Sequence, residues 1–388
     1  MKWLRLLTMV LVLSALQGCN WIKGWGKSDD PGAPAELIEF NPTLATRKIW
    51  SQSIGKGIGK AEPQLRPIYW DGSVYAADYK GRVVAVNAET GSVRWEVKTE
   101  LPLSGGPGVN GDNLFIATEN GEVHTLSTAD GTLLWTAQVS SEILAAPVAG
   151  DGVVIIRCVD GRIFGLDEES GRRLWIYDRS VPLLTLRGNS VPVIWAGVAY
   201  IGYDGGEVIA LDIETGLIIW EQTVVTSEGR SELERLSDID GDMVYVASDL
   251  IVSSYKNRLA SLAADSGRLL WFKDIASSTG VVVDRTNLAV SDQTGHLWLL
   301  DRRNGSTVWK QDQLENRQLT RPGFIGNFVV VGDFEGYLHW INTLDGNMAA
   351  REKVGGKGFV TGPLVVGNRM YALTRKGKLV AYSVGGDL

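Results

Sequence analysis

A pattern of fifteen residues recurs six times along this chain of 388 residues. Each copy starts with Gly or once with Asn, runs through an apolar stretch, turns at a Gly ten residues later and ends on a Trp. The six copies are Gly81–Trp95, Gly121–Trp135, Gly161–Trp175, Gly206–Trp220, Asn257–Trp271 and Gly295–Trp309. A seventh, Gly336–Ala350, lacks only the Trp, and an eighth, Gly377–Val384, stops before its turn. Successive Trp residues are 40, 40, 45, 51 and 38 positions apart, which is typical of the blades of a β-propeller.

The columns of the aligned copies predict a strand that is buried on both faces. The third column is always aliphatic and the sixth is always apolar, as with Val83 and Val86 in the first copy. Side chains alternate across a strand, so these two columns lie on opposite faces. A strand that is apolar on both faces lies between stacked sheets. The Gly of column eleven, present in the first seven copies, predicts a hairpin turn with a positive φ angle.

The Trp column predicts how neighbouring blades dock. A Trp side chain buries roughly 150–250 Å² of surface, so one Trp in each blade can pack that sheet against the next. The alternative is a Trp that stacks on a ligand. A ligand platform does not need the same residue in six registers, so docking is the better interpretation.

The two ends of the array predict how the ring closes. The last copy stops after its third strand, and Thr46–Trp50 has the pattern of an outer strand that ends on the missing Trp. Pairing this strand with the last blade would remove an exposed sheet edge. The sequence therefore predicts an all-β fold over residues 44–388: an eight-bladed β-propeller of four-stranded antiparallel blades, closed by the N-terminal strand.

Residues 1–18 have the pattern of a lipoprotein signal peptide. Lys2 and Arg5 precede an apolar core, Leu6–Leu16, which is too short for a permanent membrane span. The sequence LQGC that ends at Cys19 resembles the cleavage site of bacterial lipoproteins, although an ordinary signal peptide with an incidental Cys is an alternative. We expect cleavage after residue 18, a lipid on Cys19, and a flexible tether, rich in Gly, Pro, Ser and Asp, over residues 19–43.

Charge argues against a nucleic-acid-binding protein. Loss of Lys2 and Arg5 with the signal peptide changes the formal net charge from −7 to −9, and no basic run is present. Asn20 follows the expected lipidated position. In the bacterial lipoproteins that this segment resembles, the signal for retention in the inner membrane is an Asp at that position. The expected location is the periplasmic face of the outer membrane of a Gram-negative bacterium.

No catalytic, cofactor or metal site is predicted. The sequence contains three histidines, His124, His296 and His339. None has a His, Cys or carboxylate at metal-ligand spacing in the sequence. Asp238–Asp242 begins like a calcium loop, but Met243 stands where that loop needs Gly. Cys158, the one cysteine besides Cys19, is expected to be a buried structural thiol.

The repeat resembles the tryptophan-docking motif of quinoprotein dehydrogenases. Ala85–Trp95 and Ala210–Trp220 follow its A-x-[DN]-x-x-[ST]-G-x-x-x-W pattern closely. That motif describes how blades dock and does not specify catalysis. Those enzymes carry a disulfide between adjacent cysteines over the quinone and a calcium ion beside a catalytic Asp, and this chain has no Cys-Cys pair. We therefore expect no quinone cofactor and no enzymatic activity.

The lipoprotein signal, the tether and eight blades without a catalytic set together resemble the BamB family, the propeller lipoproteins of the outer-membrane β-barrel assembly machine (Bam complex). The resemblance covers the whole chain and is sharpest in Ser180–Pro192, Arg230–Asp242 and Gly332–Asn342. The first two stretches lie where the repeat spacing lengthens, and long loops on a regular scaffold are natural recognition sites. The resemblance implies an accessory protein that binds the POTRA domains of BamA and assists insertion of barrel proteins into the outer membrane.

The resemblance also implies partner-binding residues, matched position by position. They are Leu184, Leu186 and Arg187 in the first stretch, and Asp238 and Asp240 in the second. Two leucines would supply apolar anchors and Arg187 a directional set of donors. An ion pair between Arg187 and Asp238 or Asp240 within this chain is an open alternative, in which the five residues preserve the shape of the loops. Other functional alternatives are a periplasmic module that binds unfolded barrel strands at open blade edges, and a quinoprotein dehydrogenase.

Overall fold

The computed structural model describes residues 32–59, 64–180, 190–226 and 237–385. These ranges form 33 β-strands, and within them no helix is long and apolar enough to cross a membrane. The first half of the strands comprises β1 Thr46–Ser53, β2 Gln64–Leu65, β3 Ile68–Trp70, β4 Ser73–Ala77, β5 Arg82–Asn87, β6 Val93–Lys98, β7 Leu103–Asn110, β8 Asn113–Thr118, β9 Glu122–Ser127, β10 Leu133–Gln138, β11 Val148–Gly150, β12 Val153–Arg157, β13 Ile163–Asp167, β14 Arg173–Tyr177, β15 Val193–Trp195, β16 Val198–Gly202, β17 Glu207–Asp212 and β18 Ile218–Thr223. The remaining strands are β19 Val244–Val246, β20 Asp249–Ser253, β21 Leu259–Ala263, β22 Leu269–Lys273, β23 Val281–Val283, β24 Asn287–Ser291, β25 Leu297–Asp301, β26 Thr307–Gln311, β27 Gly323–Ile325, β28 Phe328–Gly332, β29 Tyr337–Asn342, β30 Met348–Lys353, β31 Leu364–Val366, β32 Arg369–Leu373 and β33 Lys378–Val384.

The strands form eight antiparallel sheets, numbered here as blades 1 to 8. Blades 1 to 7 are β3–β6, β7–β10, β11–β14, β15–β18, β19–β22, β23–β26 and β27–β30, and blade 8 has the order β31-β32-β33-β1. The short strand β2 adds to blade 2 by pairing parallel to β7. The first strand of each blade contacts the first strands of both neighbours, and β3 contacts β31, so the ring is closed. The predicted eight-bladed propeller is confirmed.

The N-terminal strand closes the ring as predicted. Strand β1 pairs antiparallel with β33, from Thr46 opposite Val384 to Ser53 opposite Lys378. Trp50 on this strand is buried, and its indole Nε1 donates a 3.0 Å hydrogen bond to the carbonyl oxygen of Ala88 in blade 1. The chain therefore joins its two ends within one blade and leaves no open seam.

Each Trp of the repeat, together with Trp50 of the N-terminal strand, docks its blade onto a turn of the next blade. The indole N–H groups donate to main-chain carbonyl oxygens at 2.8–3.1 Å in seven pairs: Trp50–Ala88, Trp95–Thr128, Trp135–Glu168, Trp175–Ile213, Trp220–Ala264, Trp271–Arg302 and Trp309–Thr343. The column-eleven Gly of the receiving turn lies under the ring. A Cβ atom on Gly216, for example, would lie 2.5 Å from Cδ2 of Trp175. This Gly therefore provides close approach between blades as well as the positive φ that the sequence predicted.

Blade 7 lacks the Trp and docks by another contact. Ala350 occupies the Trp position and is buried. Trp340 in the neighbouring strand is fully buried, and its ring lies 5.8 Å from that of Tyr382 in blade 8. The backbone N–H of Leu44 donates to the carbonyl oxygen of Ala349, and the Leu44 side chain packs on the same cluster. The N-terminal segment thus fills part of the space that a Trp fills elsewhere.

The described part of the predicted tether lies against the propeller. Arg317 donates through Nη1 to the carbonyl oxygen of Ala35 at 2.9 Å. Arg351 donates to the carbonyl oxygen of Ile38 at 3.0 Å, and its guanidinium lies 5.1 Å from the ring centre of Phe40. Phe40 also packs on the core between blades 6 and 7. The expected flexibility therefore does not extend to residues 33–43, because hydrogen bonds and apolar burial fix this segment on blade 7.

The propeller has two different faces. On the face called here the loop face, the loop between the second and third strands of a blade hydrogen-bonds to a connection between blades, as when Tyr79 N–H donates to Gly57. On the opposite face, called the turn face, the two short turns of each blade hydrogen-bond to each other, as when Ala88 N–H donates to Gly72. Every connection between blades therefore begins and ends on the loop face.

The Trp–Gly contact predicts a difference between two glycine variants. Gly152 has φ +78° and nothing within 4 Å of an added Cβ, whereas Gly216 has φ +70° and Trp175 above it. Gly152→Ala should cost about 1–2 kcal/mol of unfolding free energy through backbone strain alone. Gly216→Ala should cost about 1–3 kcal/mol more, because the new methyl group overlaps the indole. Urea unfolding of both variants measures the difference, and equal losses would show that the Gly serves only the turn.

Candidate partner-binding site

Two of the five predicted partner-binding residues lie in the described structure. Asp238 and Asp240 belong to the connection between β18 and β19, on the loop face beside blades 4 and 5. Leu184, Leu186 and Arg187 belong to the connection between β14 and β15 and lie outside the described residues, as does Cys19. The two connections enter and leave blade 4, so their described ends are neighbours on the loop face.

A buried Ile fixes the position of the two aspartates. Ile239 lies between them and is fully buried in the core of blades 4 and 5. Its backbone N–H donates to the carbonyl oxygen of Tyr203 at 3.1 Å, and Asp238 accepts a 2.9 Å backbone hydrogen bond from Tyr255. Gly202 makes room, since a Cβ there would lie 2.6 Å from Cγ2 of Ile239. The chain is thus held on both sides by neighbouring blades.

The fold brings a third carboxylate to this pair. One carboxylate oxygen from each of Asp204, Asp238 and Asp240 lies within 4.8 Å of the other two, and we call these three residues the acidic cluster. Arg157, which is almost fully buried, donates through Nη2 to Oδ1 of Asp204 at 2.6 Å. Burial raises the pKa of Asp240 to about 7, and the negative charge of Asp238 adds to that increase. Asp240 is therefore expected to be only partly ionised at neutral pH.

Charged residues around Tyr203 hold the chain in place beside the acidic cluster. The guanidinium groups of Arg157 and Arg179 lie 5.8 Å and 5.2 Å from the centre of its ring. Arg179 also forms ion pairs with Glu221 at 2.7 Å and with Glu207 at 3.6 Å. These contacts fix the chain next to the point where the connection from blade 3 leaves the described residues.

The acidic cluster is suited to a cationic group. Arg157 pairs with Asp204, and its positive charge also acts on Asp240. A guanidinium or ammonium group would relieve the repulsion between the carboxylates. Such a group can come from a partner protein or from Arg187 of this chain, the two alternatives that the sequence left open. Three carboxylates at this spacing can also ligate a divalent cation, which the sequence did not predict because Asp204 belongs to another loop.

Two residues of this site were missed by the sequence interpretation. Arg157 and Asp204 do not belong to the repeat pattern, and neither is adjacent to the predicted segments. Arg157 nevertheless departs from its column, because the residues at the same position in the second strands of the other blades are small or apolar. These are Ala77, Ala117, Gly202, Ser253, Ser291, Gly332 and Leu373. A lone charge in such a column is a signal that could have pointed to this cluster.

Each of the three histidines has a carboxylate neighbour. His296 Nδ1 lies 3.0 Å from Oδ2 of Asp292, and His339 Nε2 lies 3.0 Å from Oδ2 of Asp333, because the loop between the second and third strands of a blade returns the chain toward the Asp that caps it. His124 Nε2 lies 3.7 Å from a carboxylate oxygen of Glu122 on the same strand. A histidine paired with a carboxylate is not by itself a metal site, so the prediction of no metal site at these histidines stays a prediction.

The third stretch of strong family resemblance, Gly332–Asn342, serves the fold of blade 7. Asp333 is fully buried and contacts both His339 and Arg317, with 2.8 Å to Nη2 of Arg317. Burial lowers the pKa of His339, although Asp333 acts in the opposite direction. These contacts hold the loop between β28 and β29 in shape and attach it to the connection that precedes blade 7.

Cys158 is a buried thiol, as expected. Its side chain is 2% exposed and packs in the core between blades 2 and 3. Burial raises the pKa of this thiol to about 11, so the reactive thiolate form is scarce at neutral pH.

Comparisons with known proteins agree on one family. A family model described as outer membrane protein assembly factor BamB matches residues 39–103 and 79–311. The BamB of Pseudomonas aeruginosa is 49% identical over 383 residues, with 99% of each chain covered. The crystal structure of BamB from Moraxella catarrhalis has a TM-score of 0.80 at 28% identity and covers 87% of this chain and 100% of its own. A quinohemoprotein alcohol dehydrogenase from Comamonas testosteroni has a TM-score of 0.68 at 14% identity, covering 88% of this chain and 77% of its own, which shows the fold alone.

The raised pKa of Asp240 predicts a pH-dependent effect on stability. A carboxyl whose pKa is about 7 when folded and 3.8 when unfolded stabilises the fold below pH 3.8, and this contribution is lost as the pH rises through 7. Asp240→Asn should therefore gain stability relative to wild type between pH 5 and pH 8, by about 1–4 kcal/mol.

Thermal unfolding at both pH values measures this gain. Asp130→Asn is the matched control, because hydrogen bonds from Thr132 lower the pKa of the exposed Asp130, and its effect should be constant over this range. An Asp240→Asn difference that is equally constant would show that Asp240 is fully ionised in the folded protein.

Proposed function

Because the chain belongs to the BamB family of outer membrane protein assembly factors, we propose that it is a non-enzymatic scaffold of the β-barrel assembly machine. It binds the periplasmic POTRA region of BamA and thereby assists the folding and insertion of β-barrel proteins into the outer membrane. The observation that carries this proposal is the acidic cluster, which lies on the loop face at the ends of the two longest connections of the propeller.

The chemistry of the loop face supports binding of a protein partner. The acidic cluster offers a cation-binding centre beside a connection that carries Leu184 and Leu186, and an apolar anchor next to a charge pair is a common arrangement at interface centres. The segment of Asp238 and Asp240 is fixed by buried Ile239, so little order has to be gained on binding. A rigid scaffold that displays long connections is well suited to hold another domain in one orientation.

The absence of catalysis is part of the same proposal. The Pseudomonas aeruginosa relative, which matches 99% of this chain, is named as an assembly factor, and the dehydrogenase resembles this chain at 14% identity. We propose that the Trp–Gly docking shared with quinoproteins is a way to build the ring, and that the chain uses no quinone and no metal cofactor.

Attachment to the membrane is proposed to depend on Cys19. A lipid on Cys19, following cleavage after residue 18, would hold the propeller on the periplasmic side of the outer membrane. Residues 33–43 are fixed on blade 7, so the lipid on Cys19 would lie N-terminal to a segment that is held on the propeller. Cys19→Ala should therefore be absent from outer-membrane fractions in its mature form, and its presence there would refute the lipid anchor.

The proposed interface predicts the effect of two substitutions on the first connection. Leu186→Glu would place a charge in an apolar contact, and Arg187→Ala would remove a multi-donor anchor. Each should weaken binding to the purified POTRA domains of BamA by about 2 kcal/mol or more, roughly thirtyfold. Binding can be measured by calorimetry, with circular dichroism to confirm that the propeller is folded.

Glu89→Ala is the control for this measurement. Glu89 is an exposed residue in a turn of blade 1 on the turn face, and its side chain is 76% exposed. Its substitution should leave the affinity unchanged. Weaker binding of Glu89→Ala together with wild-type binding of both connection variants would place the interface on the other face.

A second candidate function is favoured by the outer rim of the propeller. Among the described strands, the outermost strand of each blade has an unpaired edge, and several expose apolar residues, such as Leu133 at 57% on β10 and Ile218 at 50% and Ile219 at 49% on β18. Such an edge can accept an added strand from an unfolded barrel protein. Binding of an unfolded barrel segment that Ile218→Lys abolishes and Arg187→Ala preserves would support this function, and no binding by wild type would exclude it.

A further inference from the structure

Asp242 joins opposite sides of the ring at the loop face. It lies two residues before β19, the innermost strand of blade 5, and its carboxylate forms an ion pair with Arg66, which precedes the innermost strand of blade 1. Blades 1 and 5 are four positions apart in a ring of eight, so this contact crosses the central channel. Arg321, which precedes the innermost strand of blade 7, lies 3.4 Å from the same carboxylate oxygen.

The surroundings of Asp242 select its ionised form. The residue is 6% exposed. Burial alone raises the pKa of its carboxyl, but the charges of Arg66 and Arg321 outweigh burial and hold the pKa below its usual value. A buried carboxylate that is shared by two guanidinium groups is strongly attached to both, because loss of either partner leaves uncompensated charge.

Both arginines are themselves held in place. Arg66 donates through Nη2 to Oε1 of Gln64 at 3.1 Å, and its backbone N–H donates to the carbonyl oxygen of Gly106. Arg321 donates through Nε to the carbonyl oxygen of Val281 in blade 6 at 2.9 Å. The ion pairs of Asp242 therefore connect it to blade 2 through Arg66 and to blade 6 through Arg321.

Asp242 also lies beside the C-terminal ends of both long connections. It is the last residue but one of the connection that carries Asp238 and Asp240. The backbone N–H of Val191, near the end of the connection that carries Leu184, Leu186 and Arg187, faces its carboxylate and helps to lower its pKa. On the other side the chain forms a bridge from Asp242 to Gly280, and a Cβ on Gly241 would lie 2.7 Å from N of Gly280.

We propose that Asp242, through Arg66 and Arg321, is a positioning residue for partner binding, which sets the placement of the two connections on the loop face. This inference rests on the proposed function of the loop face. Asp242 is not one of the five partner-binding residues that the family resemblance implies, although the resemblance covers its segment, and it is not part of the acidic cluster. Its ion pairs fix the C-terminal end of the second connection, and the end of the first lies beside its carboxylate before a partner arrives, so less order has to be gained on binding.

The test uses the full mature chain and purified BamA from the same organism, both in detergent. Asp242→Asn removes the charge with little change in size. It should weaken BamA binding at least tenfold and increase hydrogen exchange in residues 237–243 at least tenfold. Arg66→Gln, at a side chain that is 26% exposed, should weaken binding severalfold and provides a test in case Asp242→Asn does not fold. The double variant should bind like Asp242→Asn alone, because both substitutions break the same contact.

Glu96→Gln is the matched control. It breaks the 2.7 Å ion pair with Arg82 in blade 1, away from the channel, and should leave binding within twofold of wild type. A purely structural role of Asp242 would lower the unfolding temperature without changing affinity in the folded protein. Wild-type affinity in folded Asp242→Asn and Arg66→Gln would therefore overturn the positioning role alone. A wild-type chain that does not bind BamA would overturn the proposed function as well.

Discussion

The contact on which the whole ring depends is the docking of a Trp over a Gly of the next blade. Seven indole N–H groups donate to the neighbouring turn, and the turn glycine lets the ring approach so closely that an added Cβ would lie 2.4–3.0 Å from it. Every blade except blade 7 thus has one apolar and one polar contact with the next blade at the same place. This regular docking frees the connections between blades from a structural task, so two of them can lengthen without disturbing the ring.

The loop face concentrates the features that differ from blade to blade. The acidic cluster, Arg157 and the ion pairs of Asp242 all lie on it, around the connections that enter and leave blade 4. The turn face repeats the same short hydrogen-bonded turns around the ring. In a protein built from copies of one unit, departures from the repeat mark the places where one copy has acquired a separate task. In this protein the residues that differ from the repeat lie close together on the loop face near blade 4, where we propose that BamA binds.

Much of the fold could be predicted from the sequence because its determinants are local and repeated. The apolar columns of the repeat predicted the strands. The strand pattern at Thr46–Trp50 predicted that this segment closes the ring by pairing with the last blade. The docking role of the column-eleven Gly was missed because its partner Trp lies in the previous repeat. The same limit applies to the site. Asp238 and Asp240 came from a family motif, whereas Arg157, Asp204, Arg66 and Arg321 reach the site only through contacts between distant blades, and a single sequence carries no record of such contacts.

The central claim is that the loop face at blade 4 contacts BamA, and photocrosslinking in living cells tests it most directly. A photoreactive amino acid would be placed at Leu186 on the first long connection and, in a separate strain, at Leu344, which is 86% exposed on the turn face of blade 7. The account predicts a covalent adduct with BamA from position 186 after irradiation and none from position 344. An adduct from position 344 without one from position 186 would contradict it.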